Sequence, residues 1–505
     1  MKNILDFFEN TVSNYPDNLA VSDGKDELSF RTLHTASRGA ASALLNRGYR
    51  NEAVIIFMKK SARAICALIS SIYAGLYYVP VDENIPSMRR KQILKAVSPR
   101  LILCDKDSLE LLCADIGDID AEILFFDDLL SEKEDKILLD AVRAEQIDLD
   151  PVYLVFTSGS SGVPKGVLCT HRNLIDYAVQ ISELIKPDSE SIFGMQAPLY
   201  VDACMKEILS MFCCGSKVEI IPQSLFGFPI KLLSFLNEKK ITNICWVSSA
   251  LIMISSTGCF DELRPLHLKT VCFGSEVFPP AEFALWRKAC KNTRFINLYG
   301  PTEATGMSFY YEVPENFPDK TPIPIGKPFK NTRYLLLSDE NKEVAAGEIG
   351  EICILGTCLS PGYFADFERT EESFVQNPLN KLWPEKIYRT GDLAFENADG
   401  DLVFVSRKDR QIKRMGYRIE LDEIESVCKT IDGIILCSCL WDSLNSIISL
   451  FYTGALSERE LRSELRRAMP LYMMPQKLTR LENMPLMASG KIDRKKLETL
   501  YKTEY

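Results

Sequence analysis

The chain has 505 residues, 46% hydrophobic, 25% charged and 10% aromatic, which is ordinary globular usage and excludes a peptide hormone, a disulfide mini-domain or a fibrous protein. Such a length calls for roughly two to four compact units. A formal net charge of -10 argues against a broad nucleic-acid or anionic-membrane surface, so neither partner is expected and any phosphate chemistry must be local.

In chain order, Asp6 and Glu9 interrupt what would be the apolar core of a signal peptide, so no export signal is readable and a cytoplasmic location is expected. Between 28 and 103, helical periodicity alternates with short apolar runs at 53–58, 77–81 and 101–103, and the alternation returns at 153–156 and 218–222. Strands alternating with helices predict an α/β fold of doubly wound, mostly parallel sheets. Two uncharged stretches, 64–81 and 241–260, imitate membrane spans. Gly75 and Pro80 break the first and Ser and Thr fill the second, so each is expected to be a buried helix and strand. From 319 to 362, short runs of Ile, Leu and Tyr punctuated by Pro and Gly predict a β-rich subdomain. From about 409 onward, helical patterns at 421–429 and 458–469 predict a separate small α+β unit. Sixteen cysteines without C-x-x-C spacing, and only three histidines (His34, His171, His267), point to reduced core thiols rather than a metal cluster.

Four runs carry chemistry. Residues 153–166, YLVFTSGSSGVPKG, lead an apolar strand into hydroxyls, glycines and one lysine. Free backbone amides near Gly159 and Gly162, the hydroxyls of Thr157, Ser158, Ser160 and Ser161, and the charge of Lys165 suit a polyphosphate. The spacing is not that of the nucleotide P-loop, because Gly159 and Gly162 are too close and Gly166 follows Lys165. Residues 297–305, NLYGPTEAT, put an aromatic, a hydroxyl and a carboxylate together: Tyr299 can stack on a base, Thr302 can donate to a phosphate, and Glu303 can hold a hard cation such as Mg²⁺. In 388–393, YRTGDL, Asp392 offers acceptors for ribose hydroxyls. The fourth, 406–425, SRKDRQIKRMGYRIELDEIE, reads locally as a solvated charged face.

The order of these runs resembles the adenylate-forming superfamily, nearest to amino-acid adenylation domains of nonribosomal peptide synthetases and stand-alone D-alanine carrier protein ligases. Further matches lie at 28–33 (LSFRTL), 73–82 (YAGLYYVPVD), 347–356 (GEIGEICILG), 471–475 (LYMMP) and 489–494 (SGKIDR), so the likeness spans nearly the whole chain. Ser161, Ser406 and Ser489 depart from the usual Thr, Gly and Asn.

The resemblance implies an N-terminal core over 1–408 and a mobile C-terminal lid over 409–505, hinged at Asp409. It implies ATP and Mg²⁺ as cofactors. Thr157 to Lys165, with Gly159, Ser160, Ser161 and Gly162 between them, would cradle the β and γ phosphates. Gly274, Ser275, Glu276 and Tyr299, beside Asn297 and Gly300, would hold adenine; Thr302 would touch the α-phosphate; Glu303 would carry the metal. Asp392 and Arg407 would bind the ribose, and Lys491 would stabilise the attacking carboxylate and bridging oxygen. Scarce histidine is compatible with such chemistry, because an amino-acid carboxylate is already ionised at neutral pH and needs no base.

Asp202, in 200–209 (YVDACMKEIL), matches the aspartate that pairs with the substrate α-ammonium; read locally, it is equally a helix N-cap. Ala203, Lys206, Cys245, Cys272, Gly274, Leu298, Gly306 and Met307 match the remaining acyl-pocket positions. Lys206, four residues beyond Asp202 on one helix face, would meet a substrate side-chain carboxylate or pair with Asp202. The expected activity is ATP-dependent conversion of an α-amino acid, polar or acidic with alanine as the smaller alternative, to aminoacyl-AMP. Transfer to the phosphopantetheine thiol of a carrier protein in trans follows, since only fourteen residues lie beyond Lys491. An acyl- or aryl-coenzyme A ligase is the alternative and would lack the acidic partner at Asp202. A noncatalytic scaffold would be expected to lack Lys491, Glu303 or Asp392.

Overall fold

The computed structural model describes residues 2–159, 164–443, 445–487 and 492–504. Two large sheets dominate. In the first, strands run in the spatial order Glu122–Phe125, Leu101–Cys104, Ala53–Phe57, Tyr77–Val81, Pro151–Thr157 and Lys165–Thr170, all parallel except the last pair. Ala53–Phe57 is buried along its whole length, as a parallel strand covered on both faces must be, which explains its unbroken apolar run. The second sheet has a parallel centre, including Ile192–Met195, Asn243–Val247, Thr270–Gly274 and Arg294–Tyr299, and antiparallel strands at both edges.

Both span-like stretches are interior elements. The first is helix Ala62–Tyr73, whose N-terminus is capped by Ser61 Oγ accepting from the Ala64 amide at 3.1 Å, followed by strand Tyr77–Val81. The second is strand Asn243–Val247 with helix Ser248–Ser255. Among the described residues no helix is long and apolar enough to cross a membrane.

The Pro- and Gly-punctuated region folds as an antiparallel sheet of Thr332–Leu337, Gly350–Gly356, Lys386–Glu396, Phe374–Gln376 and Leu402–Arg407, extending well past 362. Beyond 409 the chain builds its own core, in which Ile419, Ile424 and Cys428 meet Leu450, Leu461 and Leu465. A two-stranded hairpin, Gln411–Arg414 with Tyr417–Glu420, leads into it. Its turn residues Met415 and Gly416 both have positive φ, 52° and 77°, as a tight hairpin turn matching strand twist requires. All sixteen cysteines are free and most are buried.

Candidate active site

A cavity of about 110 Å³ opens where the strands of the two large sheets end, roofed by the hairpin at 411–420. Crevices at the carboxyl ends of parallel strands are where such sheets bind ligands, because loops there converge without a covering helix. Thr157 and Ser158 enter it from the end of strand Pro151–Thr157, Ser275 from beyond Thr270–Gly274, and Gly300 and Thr302 from beyond Arg294–Tyr299. Asp202, Ala203, Gly306, Met307, Asp392 and Arg407 complete the sequence-predicted part of the wall.

Two glycines are required by close approach. A Cβ at Gly274 would lie 2.1 Å from the Leu298 carbonyl oxygen, and one at Gly300 would lie 2.5 Å from the Gly306 carbonyl oxygen. Asn297 faces away: its Nδ2 donates to the Pro324 carbonyl at 2.8 Å, and it lines no part of the cavity.

Asp202 starts a short 3₁₀ turn rather than capping the helix that follows, so the N-cap reading does not hold. Its Oδ2 is buried without a hydrogen-bond partner. Burial pushes this carboxyl upward, opposed by the Thr302 hydroxyl and the Lys206 cation. A small side pocket of about 10 Å³ lies beside the main cavity and is lined by Gln196, Lys206, Cys245, Cys272, Gly274 and Leu298. The two spaces share Ala203, Ser275 and Met307. Lys206 is neither solvated nor bonded to Asp202: it is 3% exposed, and Nζ donates to the Ala203 carbonyl at 2.8 Å. Behind it, both oxygens of Glu207 are buried without a partner.

On the opposite wall, Asp392 accepts from Tyr299 Oη at 2.5 Å and from Arg407 Nη1 at 2.5 Å. Arg407 in turn grips the Asp409 carboxylate through Nε and Nη2, each at 2.7 Å. Lys413 Nζ lies 5.6 Å from the centre of the Tyr299 ring, so in this arrangement that ring carries a cation on its face.

The hairpin is anchored on residues from across the cleft. Ser158 Oγ donates to the Arg418 carbonyl at 2.7 Å, the Gly416 amide donates to Glu276 Oε1 at 2.8 Å, and the Tyr200 and Tyr417 hydroxyls meet at 3.1 Å. Glu303 is wholly buried and its carboxylate, Oε1 above all, is ringed by donors. Arg418 Nη1 reaches its two oxygens at 2.9 and 3.1 Å, Lys165 Nζ lies 3.1 Å away and Tyr363 Oη donates at 2.7 Å. Burial alone would raise this carboxyl, but the Arg418 and Lys165 cations reverse that and hold it well below the usual carboxylate range. Burial and Arg418 push Lys165 down to about 8. With the Arg418 and Lys165 cations both within 3.1 Å of its carboxylate, Glu303 already has its charge balanced in this arrangement, so the expected Mg²⁺ position does not fit here.

Lys491, Ser160, Ser161 and Gly162 lie outside the described residues. Arg418, Lys413, Tyr363 and Gln196 were not singled out as site residues from sequence. For Arg418 and Lys413 the available signal was an alternating charged run broken by Gly416; Tyr363 and Gln196 carry no local signal.

Two large, mostly parallel sheets with a cleft at their strand ends, roofed by a small C-terminal unit, define an α/β ligand-binding architecture. The chain belongs to the family described as AMP-binding enzyme, which residues 8–364 match. It is 30% identical to zwittermicin A synthase ZmaJ of Bacillus cereus, over 99% of this chain and 95% of the relative. It is 29% identical to the L-proline–[L-prolyl-carrier protein] ligase of Streptomyces coelicolor, over 94% and 92%. Against tyrocidine synthase 1 of Brevibacillus parabrevis the identity is 28% over 98% of this chain, which spans only 45% of that protein. An artificially fused adenylation–PCP di-domain from Klebsiella oxytoca superposes with a TM-score of 0.81 at 20% identity, over 96% and 94% of the two chains. A double mutant of o-succinylbenzoate CoA synthetase from Bacillus subtilis superposes with a TM-score of 0.82 at 20% identity, over 99% and 98%. The chain is therefore a ligase that uses ATP to adenylate a carboxylate.

Proposed function

We propose that the chain activates an α-amino acid as its aminoacyl-AMP and then passes it to the phosphopantetheine thiol of a separate carrier protein. The observation that carries this reading is Asp202. A carboxylate oxygen held out of water with no partner, at the mouth of the acyl pocket, is costly unless a cation completes it, and a substrate α-ammonium is such a cation. Relatives named as a carrier-protein ligase and as peptide synthases support the same class. A coenzyme A ligase acting on a simple acid would have no use for that charge.

In the first half-reaction a substrate carboxylate oxygen bonds to the α-phosphorus of ATP, the α–β bridging bond breaks and pyrophosphate leaves. Positioning and cationic charge dominate such a transfer. Asp202 would orient the substrate through its ammonium, Thr302 would donate to the α-phosphate, Ser158 and Lys165 would take the β and γ phosphates, and Asp392 with Arg407 would fix the ribose. Lys491 would steady the charge that gathers as the bond forms; Lys491→Ala should lower adenylation roughly 10²- to 10³-fold, the cost of losing one oxyanion donor. In the second half-reaction the thiol sulfur bonds to the acyl carbon and AMP leaves. A lid beginning at Asp409 would swing between the two steps, bringing the segment around Gly416 to the cleft for the second. The side pocket, small and holding Lys206 and Gln196, favours a small polar or acidic side chain, with alanine as the alternative.

Amino-acid-dependent pyrophosphate exchange with the twenty amino acids, acetate and benzoate tests the reading. Signal confined to one or a few amino acids, and lost in Asp202→Ala, is expected; exchange with acetate or benzoate that survives this substitution would overturn it.

A further inference from the structure

We propose that Lys413 is the general base of the second half-reaction, taking the proton of the phosphopantetheine thiol as its sulfur attacks the acyl carbon. This deepens the proposed function and rests on its placement of Asp202 at the substrate ammonium and Asp392 at the ribose.

A free thiol, with a pKa of about 8.5, is mostly protonated at neutral pH, and the thiolate is the nucleophile, so the transfer gains from a base at the cleft. The groups lining the cavity leave few candidates. Arg89, Arg407 and Arg418 cannot give up a proton. Tyr200, Tyr417 and Tyr472 are each held above their usual range by burial. Asp392 already accepts from Tyr299 and Arg407, and Asp202 is committed to the substrate ammonium. Among the described residues no histidine lines the cavity, and Lys413 is the one amine that does.

Lys413 sits on strand Gln411–Arg414, so the hairpin carries it into the cleft. It lies within electrostatic reach of both Asp202 and Asp392, the residues proposed to hold the two ends of the aminoacyl-AMP, and lines the same cavity as Thr302, proposed at the α-phosphate. The mixed anhydride joining those ends would lie between them, in the space that Lys413 borders. Among the described residues Nζ has no ion pair, because the neighbouring carboxylates are taken: Asp392 by Arg407 at 2.5 Å and Glu303 by Arg418 at 2.9 Å. Burial disfavours the ammonium form, and the Arg407 and Arg418 guanidiniums add to this against the pull of Asp392 and Asp202, so the amine is held below the ordinary lysine range. In the step itself the thiol proton passes to the Nζ lone pair, a sulfur electron pair forms the S–C bond, and the acyl C–O bond breaks with its pair leaving on AMP. Lys413 then releases the proton to water as AMP departs.

Two measurements on the full chain test this. In the first, the acid giving the strongest pyrophosphate exchange among the twenty amino acids, acetate and benzoate is loaded as its adenylate in a single turnover with pyrophosphatase, and pantetheine is added as the thiol. Lys413→Ala should slow thioester formation about 10²-fold or more, at least about tenfold beyond any loss in pyrophosphate exchange. Lys413→Arg keeps the charge but cannot lose its proton, so it should fail as Lys413→Ala does. In the second, trace acetylation of the amines by acetic anhydride, read peptide by peptide across pH, should give Lys413 a midpoint well below the ordinary lysine value of about 10.4. Wild-type transfer should rise with pH through that same midpoint, and Lys413→Ala should lose this rise. A Lys413 midpoint at or above the ordinary value, or wild-type transfer in Lys413→Arg, would overturn the proposal. So would equal loss of both half-reactions in a Lys413→Ala protein whose circular dichroism is unchanged. Should Lys413→Ala fail to fold, Lys413→Arg and the wild-type pH dependence decide the matter. If only acetate or benzoate supports exchange and transfer to pantetheine still depends on Lys413, the amino-acid reading fails and the Lys413 proposal stands; if no acid supports exchange, both fall.

Discussion

Gly416 and Val247 meet where the C-terminal hairpin touches the core: a Cβ added at Gly416 would lie 2.3 Å from Val247 Cγ1. Both the contact and the positive φ of 77° at Gly416 exclude a side chain while the hairpin is docked. Gly416→Ala is expected to undock it at a cost of about 1–3 kcal/mol, slowing thioester formation on the order of ten- to a hundredfold while adenylate formation is retained. Adding Val247→Ala should restore part of the loss by opening space, though not the backbone strain. Single-turnover assays of the two half-reactions separate these outcomes; parallel decline in both steps would contradict a contact that serves only the second.

Asp202→Ala should remove about 2–5 kcal/mol from binding of an ammonium-bearing substrate, nearly abolishing its activation. Asp202→Asn keeps the shape and removes the charge, and should fail almost as badly if charge is what matters. Far-ultraviolet circular dichroism and ATP affinity should be unchanged in both. An Asp202→Asn variant with wild-type kcat/KM would show that the carboxylate does not meet the ammonium.

Lys206 lies at the side pocket with its Nζ held by the Ala203 carbonyl. If it meets a substrate side chain, Lys206→Ala should lower kcat/KM for the preferred amino acid about ten- to a hundredfold, the worth of a charge-assisted hydrogen bond, and flatten the ranking across the panel. An unchanged ranking would assign Lys206 to packing alone.

Glu207 supplies a prediction about pH. It is fully buried, and burial raises its carboxyl to about 7, against the pull of Lys206 and Lys60. Lys60, whose Nζ donates to the Gln196 carbonyl at 2.9 Å, is pushed down by burial to about 8, so it remains largely charged below that value. Because the folded state holds the Glu207 proton more tightly than the unfolded chain, its contribution is present below about pH 4.5 and is lost as pH rises through about 7. Glu207→Gln should therefore match the wild type near pH 5 and exceed it near pH 8, by on the order of 1–3 kcal/mol or a few degrees in Tm. Thermal melts across that range that run parallel in the two proteins would refute this.

Much of the fold was legible because parallel strands are hydrophobic on both faces and stand out as short unbroken runs. The runs at 53–58, 77–81 and 101–103 became Ala53–Phe57, Tyr77–Val81 and Leu101–Cys104. The span-like stretches resolved correctly for a similar local reason, since Gly75 and the Ser-rich 248–256 mark a helix meeting a strand. The helical patterns at 421–429 and 458–469 likewise correspond to Leu421–Lys429 and Glu458–Ala468. The β-rich region was placed but cut short, because its later strands, such as Lys386–Glu396, mix charge with apolar residues along a half-exposed antiparallel sheet.

By itself the sequence determined the class of protein, since the order of its glycine, hydroxyl and carboxylate motifs is a one-dimensional property that survives without coordinates. Only the tertiary structure decided the state of those groups. Lys206 turned inward and off Asp202 because the segment opens as a 3₁₀ turn; Asn297 turned to Pro324; Glu303 acquired Arg418 and Tyr363 from segments 115 and 60 residues away. Local patterning sees neighbours a few positions apart, whereas the charge balance of a buried carboxylate is set by whichever distant side chains the packing of separate units brings within hydrogen-bond reach.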